Sequence, residues 1–195
     1  MPFGLLLTGG ASTRLGVPKA EARRDGERLA DRGARLLDSV CETALEVGPG
    51  MSALAAVRED PPGRGPLAAV AAGAAGLRAR GLTAPVLVLA VDLPFVDEPL
   101  LRWLAGREPP GTLVPRVAGV AQSLCARYAA DALVTASHLV VGGTSSMRDL
   151  LAAVAVTYGD EDAWGHVATP AAFADVDTPD AAARAQLELP PGPGG

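Results

Sequence analysis

A chain of 195 residues, 49% of them hydrophobic and 20% charged, has the composition of a globular protein and excludes an intrinsically disordered one. The formal net charge of −5 argues against sequence-independent binding to nucleic acid or to an anionic membrane, although a local cluster of amides and cations can still bind a polyphosphate. No apolar run approaches the roughly 20 residues of a membrane span and no basic leader precedes the first apolar run, so the sequence predicts a cytoplasmic protein.

Short apolar runs alternate with helix-length segments in the first half of the chain. Residues 3–7 and 84–91 are predicted to be buried strands, and residues 51–57 a weaker strand. Apolar residues recur at helical spacing over residues 28–45, and a second helix is predicted to begin at Gly65 with a proline in its first turn. Strands that alternate with helices are typical of a parallel α/β sheet with right-handed crossovers.

The second half of the chain is less regular. Asp97 is predicted to cap a short helix that has Pro99 in its first turn. Two short strands are predicted at 111–117 and 121–128, two helices at 131–140 and 145–154, and a strand end that runs into a final helix at 173–186. No internal repeat and no linker long enough to divide domains is present in the sequence.

The stretch LLLTGGASTRLGVPKA, residues 5–20, has the composition of a phosphate-binding loop. Gly9 and Gly10 permit close approach of a ligand to the backbone, and Arg14 and Lys19 add positive charge. The spacing matches neither the Walker pattern GxxxxGK[ST] nor the dinucleotide pattern GxGxxG. A glycine turn with solvated charges is the simpler alternative. Two cations in one segment after a strand favour a phosphate ligand.

A second polar feature follows another predicted strand, in VLVLAVDLPFV. Asp92 interrupts an apolar run at the carboxyl end of that strand, where a buried carboxylate is costly unless it is paired or bound to a metal ion. Capping of the next helix is one explanation. A magnesium–triphosphate complex is the other, because Mg²⁺ prefers one or two carboxylates together with phosphate oxygens.

At this point the sequence resembles a known family, the nucleotidyltransferases similar to molybdenum cofactor guanylyltransferase. Their loop pattern is roughly L-A-G-G-x-S-x-R-M-G-x-x-K, and here Thr8 stands at the usual alanine and Leu15 at the usual methionine. Six further segments resemble the family in the same order along the chain: DGERLADRGARLL, REDPPGRGPLAAVAAGAAGL, VLVLAVDLPFV, AQSLCARY, SSMRDLL and FADVDTPDA.

The resemblance implies roles for individual residues of this sequence. It implies a nucleotide site that contains Leu7, Thr8, Gly9, Gly10, Lys19, Asp60 and Asp92. It implies catalytic roles for Arg14, Lys19 and Asp92, binding of Mg²⁺ by Asp92, Asp177 and Asp175, and an acceptor side with Gln122 and Arg148.

Four of these residues have a purely structural alternative. Asp175 and Asp177 could cap the helix that begins near Pro179. Gln122 could be an ordinary paired strand residue, and Arg148 a solvated charge on a helix.

The resemblance also implies a fold and a reaction. We expect an α/β protein with a three-layer Rossmann-like nucleotidyltransferase fold, whose sheet is mostly parallel with an antiparallel edge. Residues 1–187 would form one domain, and residues 188–195 a disordered tail. The implied reaction is Mg²⁺-dependent transfer of GMP from GTP to the phosphate of molybdenum-molybdopterin, by a monomer or a weak homo-oligomer.

Two alternatives to that reaction stay open. The first is cytidylyl or guanylyl transfer to another phosphorylated acceptor, and the second is a family member that binds a nucleotide or cofactor without turnover. In this family a residue between the first helix and the aspartate helps to choose the base, but EVGPGMSALAAVRED is short and contains no asparagine. Ser123 stands where the acceptor-side strand usually has proline.

Overall fold

The computed structural model describes residues 1–10, 14–83, 85–108 and 110–191, which contain ten strands and seven α-helices. The strands are β1 (Phe3–Leu7), β2 (Arg23–Arg24), β3 (Glu27–Arg28), β4 (Ala44–Val47), β5 (Ala55–Val57), β6 (Val86–Ala90), β7 (Thr112–Val117), β8 (Val120–Ala121), β9 (Cys125–Tyr128) and β10 (Val156–Gly159). The helices are α1 (Leu29–Val40), α2 (Pro66–Arg78), α3 (Glu98–Gly106), α4 (Ala130–Val141), α5 (Met147–Ala153), α6 (Glu161–Trp164) and α7 (Pro179–Arg184). None of these helices is long and apolar enough to cross a membrane.

The central sheet has the strand order β10-β7-β9-β6-β1-β4-β5, and β8 pairs with β7. Strand β1 pairs in parallel with β4 on one side and with β6 on the other, so that Leu5 lies between Leu45 and Val88. Strand β9 runs antiparallel to both β6 and β7, and β7 pairs in parallel with β10. The predicted class, a mostly parallel Rossmann-like α/β sheet with an antiparallel edge, is confirmed; within it the antiparallel strand β9 lies between β6 and β7.

Helices cover both faces of the sheet and give the three layers. Leu6 of β1 belongs to a buried cluster with residues of α1 and α3, whereas Leu5 and Leu7 belong to a second cluster with residues of α2, α4 and α5. This split follows from the two-residue repeat of a strand, which sends successive side chains to opposite faces. The apolar composition of β1 and β6 is explained by burial on both faces.

The first predicted helix is shorter than its sequence pattern. It ends at Val40, and the chain continues in an extended conformation at Cys41 into β4, which the sequence analysis missed. Leu45 therefore lies in a strand rather than in a helix. Parallel pairing of β4 with both β1 and β5 explains this conformation, because pairing with neighbouring strands overrides weak local helical preference.

Three features of the second half differ from the sequence-based prediction. Strand β10 was missed, and the segment before the last helix contains a 3-10 helix, Pro170–Phe173, instead of a strand end. The predicted tail also begins too early, because Glu188 forms an antiparallel bridge with Arg23, with backbone N–H···O distances of 2.8 Å in both directions. Residues 192–195 of that tail lie outside the described residues.

Gly73 in α2 is expected to tolerate no larger side chain. An alanine Cβ there would lie 2.7 Å from the Cδ atoms of Leu5 and 2.8 Å from Cγ2 of Val47, both buried beneath the helix. We expect Gly73→Ala to lower the free energy of unfolding by about 1–3 kcal/mol, because overpacking outweighs the better helix propensity of alanine. Gly106→Ala in α3 is the control, since the added Cβ would have no neighbour within 4 Å apart from the adjoining residues and backbone of its own helix. Urea denaturation measures both variants; equal stability would contradict the packing argument.

Candidate functional site

Segments that follow the central parallel strands meet at one edge of the sheet. The glycine-containing loop follows β1, residues 48–52 follow β4, and Asp92 lies two residues after β6. The N–H of Val91 donates to the carbonyl of Leu7 at 3.0 Å, and the N–H of Val176 donates to the carbonyl of Asp92 at 3.0 Å. The backbone thus brings the first loop, Asp92 and the segment around Asp177 together, at the carboxyl edge where open α/β sheets bind ligands.

Lys19 joins two of the predicted metal ligands. Its Nζ donates to Oδ2 of Asp92 at 2.7 Å and also to Oδ1 of Asp177. The three side chains are partly shielded, with 17%, 24% and 41% of the Lys19, Asp92 and Asp177 side chains exposed. Burial alone would lower the pKa of Lys19, but the hydrogen bonds to the two aspartates raise it above its ordinary value. One ammonium group therefore forms ion pairs with two convergent carboxylates and offsets only part of their negative charge.

Helix capping explains neither Asp92 nor Asp177. Helix α3 is capped by Asp97, whose side chain accepts from the N–H of Leu100 at 3.2 Å, as the sequence predicted. Helix α7 is capped by Thr178, which accepts from the N–H of Ala181. The caps are therefore made by other residues, and the carboxylates of Asp92 and Asp177 face Lys19 instead.

Two backbone N–H groups at the start of the glycine loop are hydrogen-bonded to the protein itself. The N–H groups of Thr8 and Gly9 both donate to the carbonyl of Val47, at 3.1 and 3.3 Å, so the Gly9 amide is already engaged by protein. Gly10 has φ +137°, a value that glycine adopts readily and other residues avoid. Arg14 is exposed, and residues 11–13 of this loop lie outside the described residues.

Two clefts share Asp92. The first has a volume of about 390 Å³ and is lined by Gly9, Lys19 and Glu59 among others, with Leu7, Thr8 and Gly10 in its walls. The second has a volume of about 360 Å³ and is lined by Gln122 and Asp175. A carboxylate between two clefts can contact two ligands at once, as a transfer between two substrates requires.

Comparison with known proteins identifies the family. The MobA-like NTP transferase domain matches residues 4–169 of this chain. The chain belongs to that family. A probable molybdenum cofactor guanylyltransferase from Opitutus terrae is 34% identical over 159 residues, which cover 77% of this chain and 78% of that protein.

Solved structures agree with the MobA-like fold. Molybdopterin-guanine dinucleotide biosynthesis protein A from Archaeoglobus fulgidus has a TM-score of 0.74 at 24% identity and covers 94% of this chain and 96% of its own. The 2-C-methyl-D-erythritol 4-phosphate cytidylyltransferase from Thermus thermophilus has a TM-score of 0.63 at 19% identity and covers 95% and 98%. At these identities the likeness shows the fold alone, and that fold serves nucleotidyltransferases with different named substrates.

Not every residue predicted for the MobA-like site lies in the two clefts. Asp60 is exposed and lines neither of them; the preceding Glu59 lines the first, and its Oε2 accepts from the N–H of Arg64 at 3.1 Å. Arg148 is exposed on α5 and lines neither cleft. Gln122 lines the second cleft, where its Nε2 donates to the carbonyl of Val120 at 3.1 Å.

One polar residue next to the glycine loop is not predicted by the sequence pattern. Glu46 in β4 is fully buried, and its Oε1 accepts from the hydroxyl of Thr8 at 2.6 Å. A charged residue in the run ALEV, immediately before the glycines of EVGPG, was the available signal. The helical spacing predicts a helix over residues 28–45, and Glu46 would then be an ordinary residue just after the end of that helix.

Proposed function

We propose that this MobA-like protein transfers GMP from GTP to the phosphate of molybdenum-molybdopterin and releases pyrophosphate. The observation that carries the proposal is the Lys19 ammonium held by Asp177 and by Asp92, the carboxylate that lines both clefts. Family membership supports nucleotidyl transfer, and the names of the Opitutus and Archaeoglobus relatives support guanine and molybdopterin as substrates.

The proposed chemistry is a displacement at phosphorus. An oxygen of the acceptor phosphate forms a bond to the α-phosphorus of GTP, the bond to the bridging oxygen of the β-phosphate breaks, and pyrophosphate leaves with the electron pair. The nucleophile is already ionised, so no general base is required. The protein contributes position and charge: the first cleft holds the nucleotide, and Lys19 lies within that cleft to offset negative charge on the phosphates.

A divalent cation fits the carboxylates of this site. Asp92 and Asp177 present hard oxygen ligands that already converge on one cation, the Lys19 ammonium. The described residues contain no ready cluster of three His, Cys, Asp or Glu side chains, which agrees with Mg²⁺ taking its remaining ligands from substrate phosphates and water. When bound there, Mg²⁺ would neutralise charge that develops on the phosphate oxygens. Asp175, exposed in the second cleft, is the alternative ligand.

The acceptor would enter the second cleft. Gln122, Ser123 and Asp175 line it together with Phe173, so that polar residues and an aromatic residue border the same space. Amide and hydroxyl groups can hydrogen-bond the edge of a heterocycle such as a pterin, while an aromatic ring can pack against its face. Asp92, which both clefts share, would then lie beside the nucleophile and the α-phosphate.

Pyrophosphate release tests the proposal directly. The purified protein is incubated with Mg²⁺ and molybdenum-loaded molybdopterin, and GTP, CTP and ATP are compared in parallel. Release with GTP alone is the expected result. Release with CTP would retain the mechanism and change the nucleotide. Nucleotide binding that needs no Mg²⁺ and gives no pyrophosphate with any acceptor would indicate a non-catalytic binder and contradict the proposal.

Glu59 is expected to contribute more to nucleotide binding than Asp60. Glu59 lines the first cleft and its carboxylate can accept hydrogen bonds from a ribose hydroxyl or a guanine N–H, whereas Asp60 is exposed outside that cleft. Glu59→Gln should raise KM for GTP about tenfold, the size of one lost charge-assisted hydrogen bond, with kcat nearly unchanged. Asp60→Asn is the matched control, and steady-state kinetics with varied GTP compare the two. A larger increase of KM for GTP in Asp60→Asn than in Glu59→Gln would assign nucleotide binding to Asp60 instead.

A further inference from the structure

Glu46 is a buried carboxylate with an unusually complete set of hydrogen-bond donors. Its Oε1 accepts from the hydroxyl of Thr8 at 2.6 Å, and from the backbone N–H groups of Gly50 and Met51 at 2.8 and 2.7 Å. Its Oε2 accepts from the N–H groups of Met51 and Ser52, at 2.9 and 2.8 Å, and from the hydroxyl of Ser52 at 2.7 Å. A single side chain thus organises the whole turn after β4.

These donors keep Glu46 ionised. Burial alone would raise the pKa of its carboxyl, but the hydrogen bonds from Thr8, Met51 and Ser52 hold that pKa below its ordinary value. Burying a carboxylate costs several kcal/mol unless donors replace its lost water. Three backbone N–H groups and the Ser52 hydroxyl, all within the turn, donate to Glu46 and stabilise the conformation of the turn. The bond from Thr8 adds something different, because it links the turn to another loop.

That other loop belongs to the nucleotide site. Thr8 directly precedes Gly9 and Gly10, and it lines the first cleft with them. The two loops are in close contact: a Cβ atom added to Gly48 would lie 2.1 Å from Oγ1 of Thr8. Beyond this contact, Gly10 and Met51 both line a third cleft of about 530 Å³, which Lys19 also lines.

We propose that Glu46 is a positioning residue for the nucleotide and acts through the hydroxyl of Thr8. The Thr8–Glu46 bond fixes the start of the loop, Thr8 to Gly10, against residues 48–52, so that this part of the backbone is held before the ligand arrives. A ligand that binds to preorganised backbone spends less free energy on ordering it. The inference rests on the proposed function, because it needs a nucleoside triphosphate at the glycine loop.

Substitutions at Thr8 separate positioning from folding of the turn. Thr8→Val removes the hydroxyl at nearly constant volume and leaves every backbone donor to Glu46 in place. We expect it to raise KM for GTP about five- to tenfold while kcat stays within about threefold, the size of one hydrogen bond to a charged group. Thr8→Ser keeps the hydroxyl and should restore the wild-type KM. Hydrogen exchange of residues 50–52 should be unchanged in Thr8→Val and faster in Glu46→Gln.

A double variant tests whether Thr8 acts through Glu46 or touches the nucleotide itself. If both belong to one pathway, Thr8→Val should add little to the KM of Glu46→Gln, whereas independent contacts would multiply the two effects. The inference is overturned if Thr8→Val has a wild-type KM, if Thr8→Ser behaves like Thr8→Val, or if the effects multiply. Thr8→Ala replaces Thr8→Val should the latter fail to fold. A wild-type protein that neither binds nor turns over any nucleoside triphosphate in calorimetry would refute the proposed function first, and this inference with it.

Discussion

Asp92→Asn is expected to reduce kcat by about a thousandfold or more and to leave thermal stability nearly unchanged. Asparagine has the size of aspartate but lacks the charge that would bind a divalent cation beside the α-phosphate. The loss of stability is small because 24% of the Asp92 side chain is exposed, and partly exposed ion pairs contribute only about 0–1 kcal/mol. The measurement is kcat at saturating GTP and acceptor, together with the melting temperature of each protein.

Parallel variants identify the second carboxylate. Asp177 forms an ion pair with the same Lys19 ammonium as Asp92, whereas Asp175 is exposed in the neighbouring cleft. We therefore expect Asp177→Asn to reduce kcat nearly as much as Asp92→Asn, and Asp175→Asn to reduce it little. The reverse order would assign the metal to Asp175. An Asp92→Asn protein that remains fully active would refute the metal assignment altogether, and a large fall in its melting temperature would indicate a structural role.

The sequence was informative where local patterns are decisive. Buried apolar runs predicted β1 and β6, helical spacing predicted α1, an early proline predicted the start of α2, and Asp97 was correctly predicted as a helix cap. Lys19 and Asp92 were each selected because they follow a predicted strand, and polar residues that follow parallel strands lie at the same edge of the sheet. The contact between them joins residues 73 positions apart, and no local pattern specifies such a contact.

The remaining features depend on tertiary structure. Strand β4 is stabilised by its pairing with β1 and β5. Because β4 is the neighbour of β1, Glu46 lies within hydrogen-bond distance of Thr8, which directly follows β1. The choice between Glu59 and Asp60 depends on which way each side chain points. Glu59 lines the first cleft and Asp60 is exposed outside it, a difference of one residue that the alignment of a motif does not determine.

Removal of Lys19 is expected to have two effects of opposite direction. Lys19→Ala should lower kcat/KM for GTP about a hundredfold, because a cation that offsets phosphate charge in a shielded cleft is lost. The same variant should bind a divalent cation more tightly in the absence of nucleotide, since Asp92 and Asp177 then face each other without the ammonium that a metal ion must otherwise displace.

Calorimetric titration with Mg²⁺ and with Mn²⁺ measures that second effect, and Arg148→Ala is the control, because it removes an exposed cation outside both clefts. A merely structural lysine would lower activity through a reduced melting temperature and would leave metal affinity unchanged or weaker. Tighter metal binding with poorer catalysis has a different meaning. It would show that Lys19 and the metal compete for the same carboxylates, and that turnover requires the ammonium group to move from the aspartates to the phosphates when the nucleotide binds.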